Sequence, residues 1–331
     1  MSKSILGIDV SKKELMLALL LDDNSIHKKK FSNDQQGFKE ILKWLKSRKI
    51  EQVKACMEAT GDYGTKLADF LYDKGHEVNI INPACIKAFG NSKLVRTKTD
   101  EIDAVIIAEY GKKSNLVPYK PKSPELKELK YLYRCLNDLK KQNVEVINHL
   151  ENKDSLPKSV CNLWKRLSKN LQKEIKIVET GIEELLAKHS DIKQQYEKLQ
   201  TIPGIAKTTA IAILAESPDL SQFANARQYA AYAGLVPKHR SSGSSVRGKA
   251  RLSKLGSSKL RKAVYFPAIV AKNHNPIMQA FSAKLKRKGK HTMVIIGAIM
   301  RKLLHIIFGV LKHNKSFEPE HIELSKNNIS C

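Results

Sequence analysis

The order of apolar and amphipathic segments in the first 111 residues constrains the fold of this chain most strongly. Residues 4–10 and 14–21 are apolar runs joined by a tight turn, and the HKKKFS segment near residue 30 predicts a third, antiparallel strand. Strands are further predicted at 53–58 and 77–81, and helices at 37–48, 64–74 and 100–111. This alternation predicts an α/β layer, in which Thr99 is the N-cap of the last helix.

A stretch with Pro118, Pro121 and Pro124 predicts a linker after this layer. Residues 125–150 and 160–199 then carry apolar residues at spacings of three and four, which predicts a long antiparallel helical pair, or coiled coil, broken near Pro157. Its apolar stripes can pack within the chain or against a second copy, and the sequence leaves both open. The predicted divisions are a domain at 1–120, a helical segment at 121–198, a mainly α-helical C-terminal domain at 199–317 and a tail at 318–331.

The C-terminal domain begins with LQTIPGIAKTTAIAILAE, where Pro203 and Gly204 form a turn between two short apolar helices. Such a helical hairpin can present backbone amides to phosphate, and it is equally a common structural connector. Beyond it, apolar helices such as residues 292–311 alternate with a polar loop predicted at 238–258.

The charge of the chain indicates a polyanionic partner. Lys and Arg number 59 against 33 Asp and Glu, which gives a net charge of +26 at pH 7. The 20 Lys and Arg between Leu220 and Phe317 are accompanied by no carboxylate. A single-sign stretch of this length favours phosphate contacts over a merely solvated surface. Nucleic acid is therefore the expected partner.

Other protein classes find little support in the sequence. No run approaches about 18 uninterrupted apolar residues, and the first residues, MSKSILGIDVSKKEL, lack the apolar region of a signal peptide. A soluble, cytoplasmic protein without a membrane partner is expected. Five widely spaced cysteines, odd in number and without a CxxC pair, predict neither a disulfide framework nor a zinc site.

Four carboxylates stand where predicted elements end or begin. Asp9 and Glu58 close predicted strands, and Asp100 and Asp103 lie on one face of a predicted helix. Such a set can hold the divalent ions, with Mg²⁺ as the first choice, that phosphoryl chemistry uses. Each acid also has an ordinary structural explanation as a turn former, a lysine partner or a favourable charge at a helix N-terminus.

Residues 234–265, GLVPKHRSSGSSVRGKARLSKLGSSKLRKAVY, form a Ser/Gly-rich segment with many Arg and Lys. A serine hydroxyl can attack a DNA phosphate when nearby cations stabilise the developing charge, and the serine then carries the phosphate covalently. From the composition alone, a flexible loop that contacts phosphates without chemistry is the favoured explanation.

These motifs together resemble a known family. The segments GIDVSKKEL, MEATGDYG, INPACIKAF and RTKTDEIDAVIIAEY closely resemble the DEDD-type transposases of bacterial insertion sequences, whose N-terminal domain is RNase H-like and similar to the RuvC resolvase. The segments IPGIAKTTA, AAYAGLVP, SGSSVRGKARLSKLG and LRKAVYFPA resemble the C-terminal domain of the same family. The resemblance covers residues 5 to 317, and the helical middle is its least diagnostic part.

The resemblance implies catalytic and binding residues. The family's four metal-binding acids match Asp9, Glu58, Asp100 and Asp103, and its catalytic serine falls on Ser242, with Ser241 as the neighbouring alternative and Ser244 and Ser245 as weaker ones. Expected phosphate-binding residues are Arg247, Lys249, Arg251, Lys254, Arg261 and Lys262.

The resemblance also implies a function: an element-encoded DNA transposase or recombinase that cuts and joins strands through a phosphoserine intermediate. A homodimer or homotetramer, and a guide RNA that selects the DNA, are implied by the family. Two rival functions stay open from the residues themselves. One is a metal-dependent RNase H-like nuclease or Holliday-junction resolvase without serine chemistry, and the other is a non-catalytic nucleic-acid-binding scaffold.

Overall fold

A computed structural model describes residues 4–59, 61–94, 99–151, 155–242 and 246–318, and for residues 239–242 and 246–250 it describes the backbone alone. The chain divides into two compact units, Met1–Pro121 and Lys122–Cys331. Each unit has a hydrophobic core of its own.

The first unit is built on five strands, β1 (Ile5–Val10), β2 (Glu14–Leu20), β3 (Ile26–Ser32), β4 (Lys54–Glu58) and β5 (Glu77–Ile81). They form one mixed sheet in the order β3-β2-β1-β4-β5. The first three strands pair antiparallel, whereas β4 and β5 continue the sheet in parallel with β1. All five predicted strands are confirmed.

Four helices cover this sheet: α1 (Gln35–Lys46), α2 (Thr65–Asp73), α3 (Pro83–Ser92) and α4 (Asp100–Lys113). The predicted helices α1, α2 and α4 are confirmed, and the hydroxyl of Thr99 accepts a hydrogen bond from the amide of Ile102, as expected of an N-cap. The sequence does not predict α3, because Ile86 is its one buried residue among those described and the segment has no pronounced apolar stripe.

The two faces of the sheet follow from the alternation of side chains along each strand. Leu6, Ile8 and Val10 of β1 lie in the core beneath α1 and α2, whereas Ile5 lies in a smaller core formed with α3 and α4. A mixed sheet in this order, covered by helices, is compatible with an RNase H-like α/β domain.

The second unit begins with two long antiparallel helices, α5 (Pro124–His149) and α6 (Lys158–Lys188). The ammonium of Lys140 pairs with Glu179 at 2.7 Å, and the rings of His149 and Trp164 stack with centroids 4.6 Å apart. The predicted helical pair is therefore confirmed, while its being a coiled coil stays a prediction. The expectation that the second helix continues to residue 199 is wrong. His189 leaves the helical conformation at φ −119°, and a separate helix, α7 (Ser190–Gln200), follows.

A set of shorter elements completes the second unit: α8 (Lys207–Glu216), a 3₁₀ turn (Leu220–Gln222), α9 (Ala226–Tyr232), β6 (Pro237–Ser242), β7 (Val246–Leu252), α10 (Ser258–Ala263), α11 (Tyr265–His274), α12 (Pro276–Arg287) and α13 (Thr292–His313). One hydrophobic cluster joins the hairpin of α5 and α6 to these helices, with Leu129, Ile182 and Leu303 among its buried members. Because α13 has 22 residues and contains an 18-residue window with a mean hydropathy of 2.0, it is long and apolar enough to cross a membrane, yet 61% of that window is buried within the fold. It is the central core helix of this unit.

The polar loop predicted at 238–258 is wrong for most of its length, because β6 and β7 form an antiparallel hairpin there. Basic residues at alternate positions, Arg247, Lys249 and Arg251, have the period of a strand. A prediction that uses only the spacing of apolar residues misses this period, because the residues here are mainly charged or carry hydroxyl groups.

The connection between the units is held by hydrogen bonds on each side. In the first unit, Tyr119 donates its amide hydrogen to Val78 at 2.7 Å and its hydroxyl hydrogen to Asp69 at 2.9 Å. In the second unit, the ammonium of Lys122 donates to the carbonyl of Ala215 at 2.7 Å, and burial lowers the pKa of this lysine to about 8. Two residues, 120 and 121, separate the hydrogen-bonded residues Tyr119 and Lys122.

Candidate active site

Asp9 and Glu58 lie at the same edge of the sheet because both stand at the carboxyl ends of neighbouring parallel strands, Asp9 one residue before the end of β1 and Glu58 as the last residue of β4. In the register of β1 and β4, Ile8 is opposite Met57, and the next residue of each strand is one of the two acids. Ile8 and Met57 belong to the core beneath α1 and α2. Since side chains alternate, Asp9 and Glu58 face the opposite side, where α4 packs.

Helix α4 approaches this edge closely because of Gly7. A Cβ atom on Gly7 would lie 2.1 Å from the carbonyl oxygen of Ala104, so any larger residue would force the helix off β1. Asp100 is the first residue of the helix, and Asp103 follows one turn later. Both carboxylates also benefit from the positive end of the helix dipole.

The electrostatics of Asp9 show that the four carboxylates are near one another. Burial raises the pKa of Asp9 to about 6, and the charges of Asp100, Asp103 and Glu58 contribute to the increase in that order. Within the part of the chain that the structure describes, no three His, Cys, Asp or Glu side chains are placed so that they could hold a metal ion. The structure therefore brings the predicted acids into one neighbourhood without a closed set of ligands.

A cavity of about 490 Å³ opens beside Asp9 and Asp100. Its lining includes Glu14 of β2, whose carboxylate pairs with Lys30 of β3 at 2.6 Å, and Glu101, which pairs with Lys28 at 3.2 Å. These four residues are absent from the set predicted from the sequence. The sequence pattern that could have predicted them is the alternation of side chains along β3, which places Lys28 and Lys30 on the face opposite the core residue Phe31.

The raised pKa of Asp9 predicts a stability effect of Asp9→Asn. Ionisation of Asp9 is less favourable in the folded than in the unfolded chain, so the stability that this group contributes below about pH 4 is lost as pH rises through about 6. Without added metal, Asp9→Asn is expected to be more stable than the wild type by about 1–2 kcal/mol at neutral pH, allowing for partial solvent screening, and equal to it near pH 4.

Urea unfolding from pH 4 to pH 8 measures this difference. Asp73→Asn, which neutralises an exposed acid at the end of α2, is the matched control. A stability difference between Asp9→Asn and wild type that stays constant over this pH range would contradict the prediction.

Ser242 is the last residue of β6, and its backbone pairs with Val246 across the hairpin. Ser241 pairs with Arg247 one position earlier. The side chains of both serines, and of Arg247 and Lys249, lie outside the described part of the structure, as do Ser244 and Ser245 altogether. The side chains of Arg251, Lys254 and Lys262 are exposed.

Arg261 holds the base of this hairpin. Its guanidinium nitrogen Nη1 donates to the carbonyl oxygens of Ala233 at 2.9 Å and Lys254 at 3.3 Å, one on each side of the hairpin. The amide of Lys254 in turn donates to the carbonyl of Gly234 at 3.1 Å. Arg261 thus has a structural role that the sequence does not reveal, and its remaining donors leave phosphate binding as a prediction.

Comparison with known proteins places the chain among transposases. A family profile for DEDD transposases of IS110 elements matches residues 6–153, and one described as "Transposase IS116/IS110/IS902 family" matches residues 196–283. The "Pilin gene-inverting protein" of Moraxella bovis is 33% identical over 96% of this chain and 98% of its own. The chain belongs to the IS110 family of transposases. A "Transposase for insertion sequence element IS1328" from Yersinia enterocolitica is 26% identical over 59% of this chain and 64% of its own.

As a member of this family, the protein is an enzyme of DNA recombination and transposition. The first profile spans Asp9, Glu58, Asp100 and Asp103, and the second spans Ser242. Neither profile covers residues 154–195, which contain all of α6.

The turn at Pro203 and Gly204 in this IS110-family enzyme lies between α7 and α8. Gly204 has a φ of +102°, and a Cβ atom there would lie 2.9 Å from the Cβ atom of Ala271 in α11. The glycine is therefore required by the packing of the turn. Among the residues that the structure describes, no side chain caps the N-terminus of α8, and phosphate binding by its amides stays a prediction.

Replacing Arg261 tests its role in holding the hairpin. Arg261→Met keeps the aliphatic stem and removes the donors to two carbonyls, so the free energy of unfolding is expected to fall by about 1–3 kcal/mol. Lys262→Met is the matched control, because Lys262 is exposed next to it. Equal urea midpoints for the two variants would show that Arg261 does not stabilise the hairpin.

Proposed function

We propose that this IS110-family enzyme cuts and rejoins the DNA of an insertion sequence through a covalent phosphoserine intermediate on Ser242. The observation that carries this proposal is the position of four acids at one edge of a sheet compatible with an RNase H-like, RuvC-like domain, where burial and then the charges of the other three acids raise the pKa of Asp9. Carboxylates are held near one another, at a cost in repulsion, where a cation offsets their charge.

The acids are proposed to bind a divalent metal, most simply Mg²⁺, because hard oxygen donors suit this ion. The residues that would hold it are Asp9, Glu58, Asp100 and Asp103. When bound, the metal supplies a Lewis acid that polarises the scissile phosphate. The chemistry of the donor set fits this ion, although the carboxylates must draw closer together to ligate it.

The proposed chemistry at Ser242 conserves the phosphodiester bond energy. The serine oxygen bonds to phosphorus and loses its proton, while one phosphorus–oxygen bond of the DNA breaks and the released strand end takes up a proton. In joining, a DNA hydroxyl attacks the phosphoserine ester, and the serine regains a proton. No nucleotide cofactor is required.

The basic second unit is proposed to bind nucleic acid along its backbone. Cations on the β6–β7 hairpin and on the segment that follows it, up to α10, are proposed to contact phosphates near Ser242: Arg247, Lys249, Arg251, Lys254, Arg261 and Lys262. An element-encoded guide RNA is proposed to select the DNA sequence. The protein's surplus of positive charge suits contacts with the nucleic-acid backbone. The reaction is proposed to take place in the cytoplasm, where bacterial DNA lies.

Self-association into a homodimer or homotetramer is proposed through the hairpin of α5 and α6. Several of its large apolar side chains are exposed in the single chain: Val144, Ile147, Leu163, Leu167 and Ile177. Apolar side chains repeated along a helical pair are typical of helix-to-helix interfaces between subunits.

A second candidate function is site-specific inversion of a DNA segment. It is supported by the 33% identity, over nearly the whole chain, to a relative named for inverting a pilin gene. Inversion and transposition can share one cutting and joining chemistry and differ in the arrangement of the DNA ends.

The test is incubation of the purified protein with Mg²⁺, labelled element-end DNA and co-expressed RNA, followed by denaturing gels. A covalent protein–DNA adduct supports serine recombination. Cleavage without any adduct would instead favour the metal-dependent nuclease, and no DNA product under any condition would favour the scaffold. The order of DNA segments in the joined products distinguishes inversion from transposition.

A further inference from the structure

Lys30 lies in line with Asp9 across three neighbouring strands, on the face of the sheet that carries the acids. In the register of the sheet, Asp9 of β1 is opposite Met16 of β2, and Met16 is opposite Lys30 of β3. The Cα atoms of Asp9 and Lys30 are therefore two strand spacings, about 10 Å, apart. All three residues line the cavity of about 490 Å³ beside the acids. Lys30 thus brings a cation to the wall of this cavity.

The ammonium of Lys30 has a partner that another anion can replace. It lies 2.6 Å from the carboxylate of Glu14, which lines the same cavity. The two side chains are 56% and 55% exposed. An ion pair this exposed stabilises a fold little, because water screens it. The ammonium can therefore pair with a different anion in place of Glu14 at little cost in stability.

The alternation of side chains along β3 separates Lys30 from its neighbour Lys29. Phe31 belongs to the core beneath α1 and α2, and the ammonium of Lys29 lies 5.2 Å from the centroid of its ring. Lys30 is on the opposite face. Lysines on an edge strand such as β3 also discourage pairing with a second sheet. That explanation applies to both lysines equally and does not account for the place of Lys30 in the cavity beside Asp9.

We propose that Lys30 binds a backbone phosphate of DNA and thereby positions the DNA at the cavity beside Asp9 and Asp100. Carboxylates repel phosphates, and an ammonium two strands away supplies an attraction that the acids cannot. Three donors on a flexible stem let a lysine follow a phosphate as it enters. Glu14 holds this ammonium at the cavity before DNA binds and gives it up to the phosphate. The inference rests on the proposed function only in that DNA enters this cavity; it requires neither serine chemistry nor a bound metal.

The experiment measures the Kd of Lys30→Gln and of wild type for a labelled element-end DNA duplex, over a range of salt concentrations and without divalent metal. Loss of one phosphate contact is expected to raise Kd about three- to tenfold and to reduce the slope of log K against log salt by about 1. Lys29→Gln is the matched control, because it removes the same charge from the next position, on the other face of β3. It is expected to bind within about twofold of wild type.

Glu14→Gln separates phosphate binding from a merely structural ion pair. It breaks the same ion pair as Lys30→Gln and leaves the ammonium of Lys30 in place. Its Kd for DNA is therefore expected to fall about two- to threefold, opposite in direction to that of Lys30→Gln. Glu40→Gln, which removes an exposed acid of α1, measures the effect of one lost negative charge alone and is expected to change Kd less.

The proposal is overturned if Lys30→Gln binds DNA like Lys29→Gln, or if Glu14→Gln and Lys30→Gln weaken binding alike, as a structural ion pair requires. It is also overturned if the loss appears with a labelled RNA hairpin and not with the DNA duplex. Because no cleavage and no adduct are scored, failure of the serine mechanism or of the metal site leaves this result readable.

Discussion

Ser242→Ala is expected to abolish the covalent protein–DNA adduct, with adduct formation falling at least about 10³-fold. The hydroxyl of Ser242 is the proposed attacking group. Alanine removes this hydroxyl and keeps the backbone atoms through which residue 242 of β6 pairs with Val246. Joined DNA products are expected to disappear with the adduct, because the phosphoserine ester carries the strand to be joined. Denaturing gels of protein with labelled element-end DNA, Mg²⁺ and co-expressed RNA measure both.

Ser241→Ala is the matched control, since Ser241 lies one position earlier on the same strand. It is expected to keep the adduct within a few-fold of wild type. An adduct that survives in Ser242→Ala and is lost in Ser241→Ala would assign the nucleophile to Ser241. Cleavage that survives both substitutions without any adduct would refute the serine mechanism.

Asp9→Asn is expected to reduce Mg²⁺-dependent cutting and joining by at least about 10³-fold, because this carboxylate, in its proposed role as a metal ligand, would supply several kcal/mol of transition-state stabilisation. The amide has nearly the shape of the carboxylate and cannot offset a divalent charge. The same variant is expected to be the more stable protein at neutral pH, so the effects on stability and activity have opposite signs. A folding defect would lower both.

Asp73→Asn is again the control, and it is expected to recombine DNA like the wild type. Full activity of Asp9→Asn at every Mg²⁺ concentration would remove Asp9 from the metal site. Titration of both variants with Mg²⁺, followed by product gels, separates weaker metal binding from loss of the chemical step.

Much of the acidic site can be predicted because it depends on local patterns. Asp9 and Glu58 end apolar runs, and runs of that length are strands whose carboxyl ends share an edge when they pair in parallel. Thr99 marks the start of the helix that carries Asp100 and Asp103. Glu14 and Lys30 are not predictable in this way, because their ion pair depends on the register between β2 and β3.

The serine segment is predicted less well for a physical reason. Hairpin β6–β7 is made of polar and basic residues, and apolar periodicity, the strongest signal for a strand, is weak there. The role of Arg261 depends on two carbonyls that lie 28 and seven residues away, and no local pattern reports such contacts. The break at His189 likewise interrupts a helical periodicity that continues on both sides.

Tyr119 and Lys122, the hydrogen-bonded residues on either side of the connection, favour one position at which the first unit of one relative can be joined to the second unit of another. A chimaera joined between Tyr119 and Lys122 inherits each anchor together with its own acceptors, Asp69 and Val78 in one half and Ala215 in the other. A crossover placed before Tyr119 would put a foreign residue opposite the carboxylate of Asp69, and one placed after Lys122 would surround the buried ammonium with foreign side chains. Recombination between related elements, in nature or in the laboratory, therefore has one two-residue window at this connection in which both halves keep their anchors.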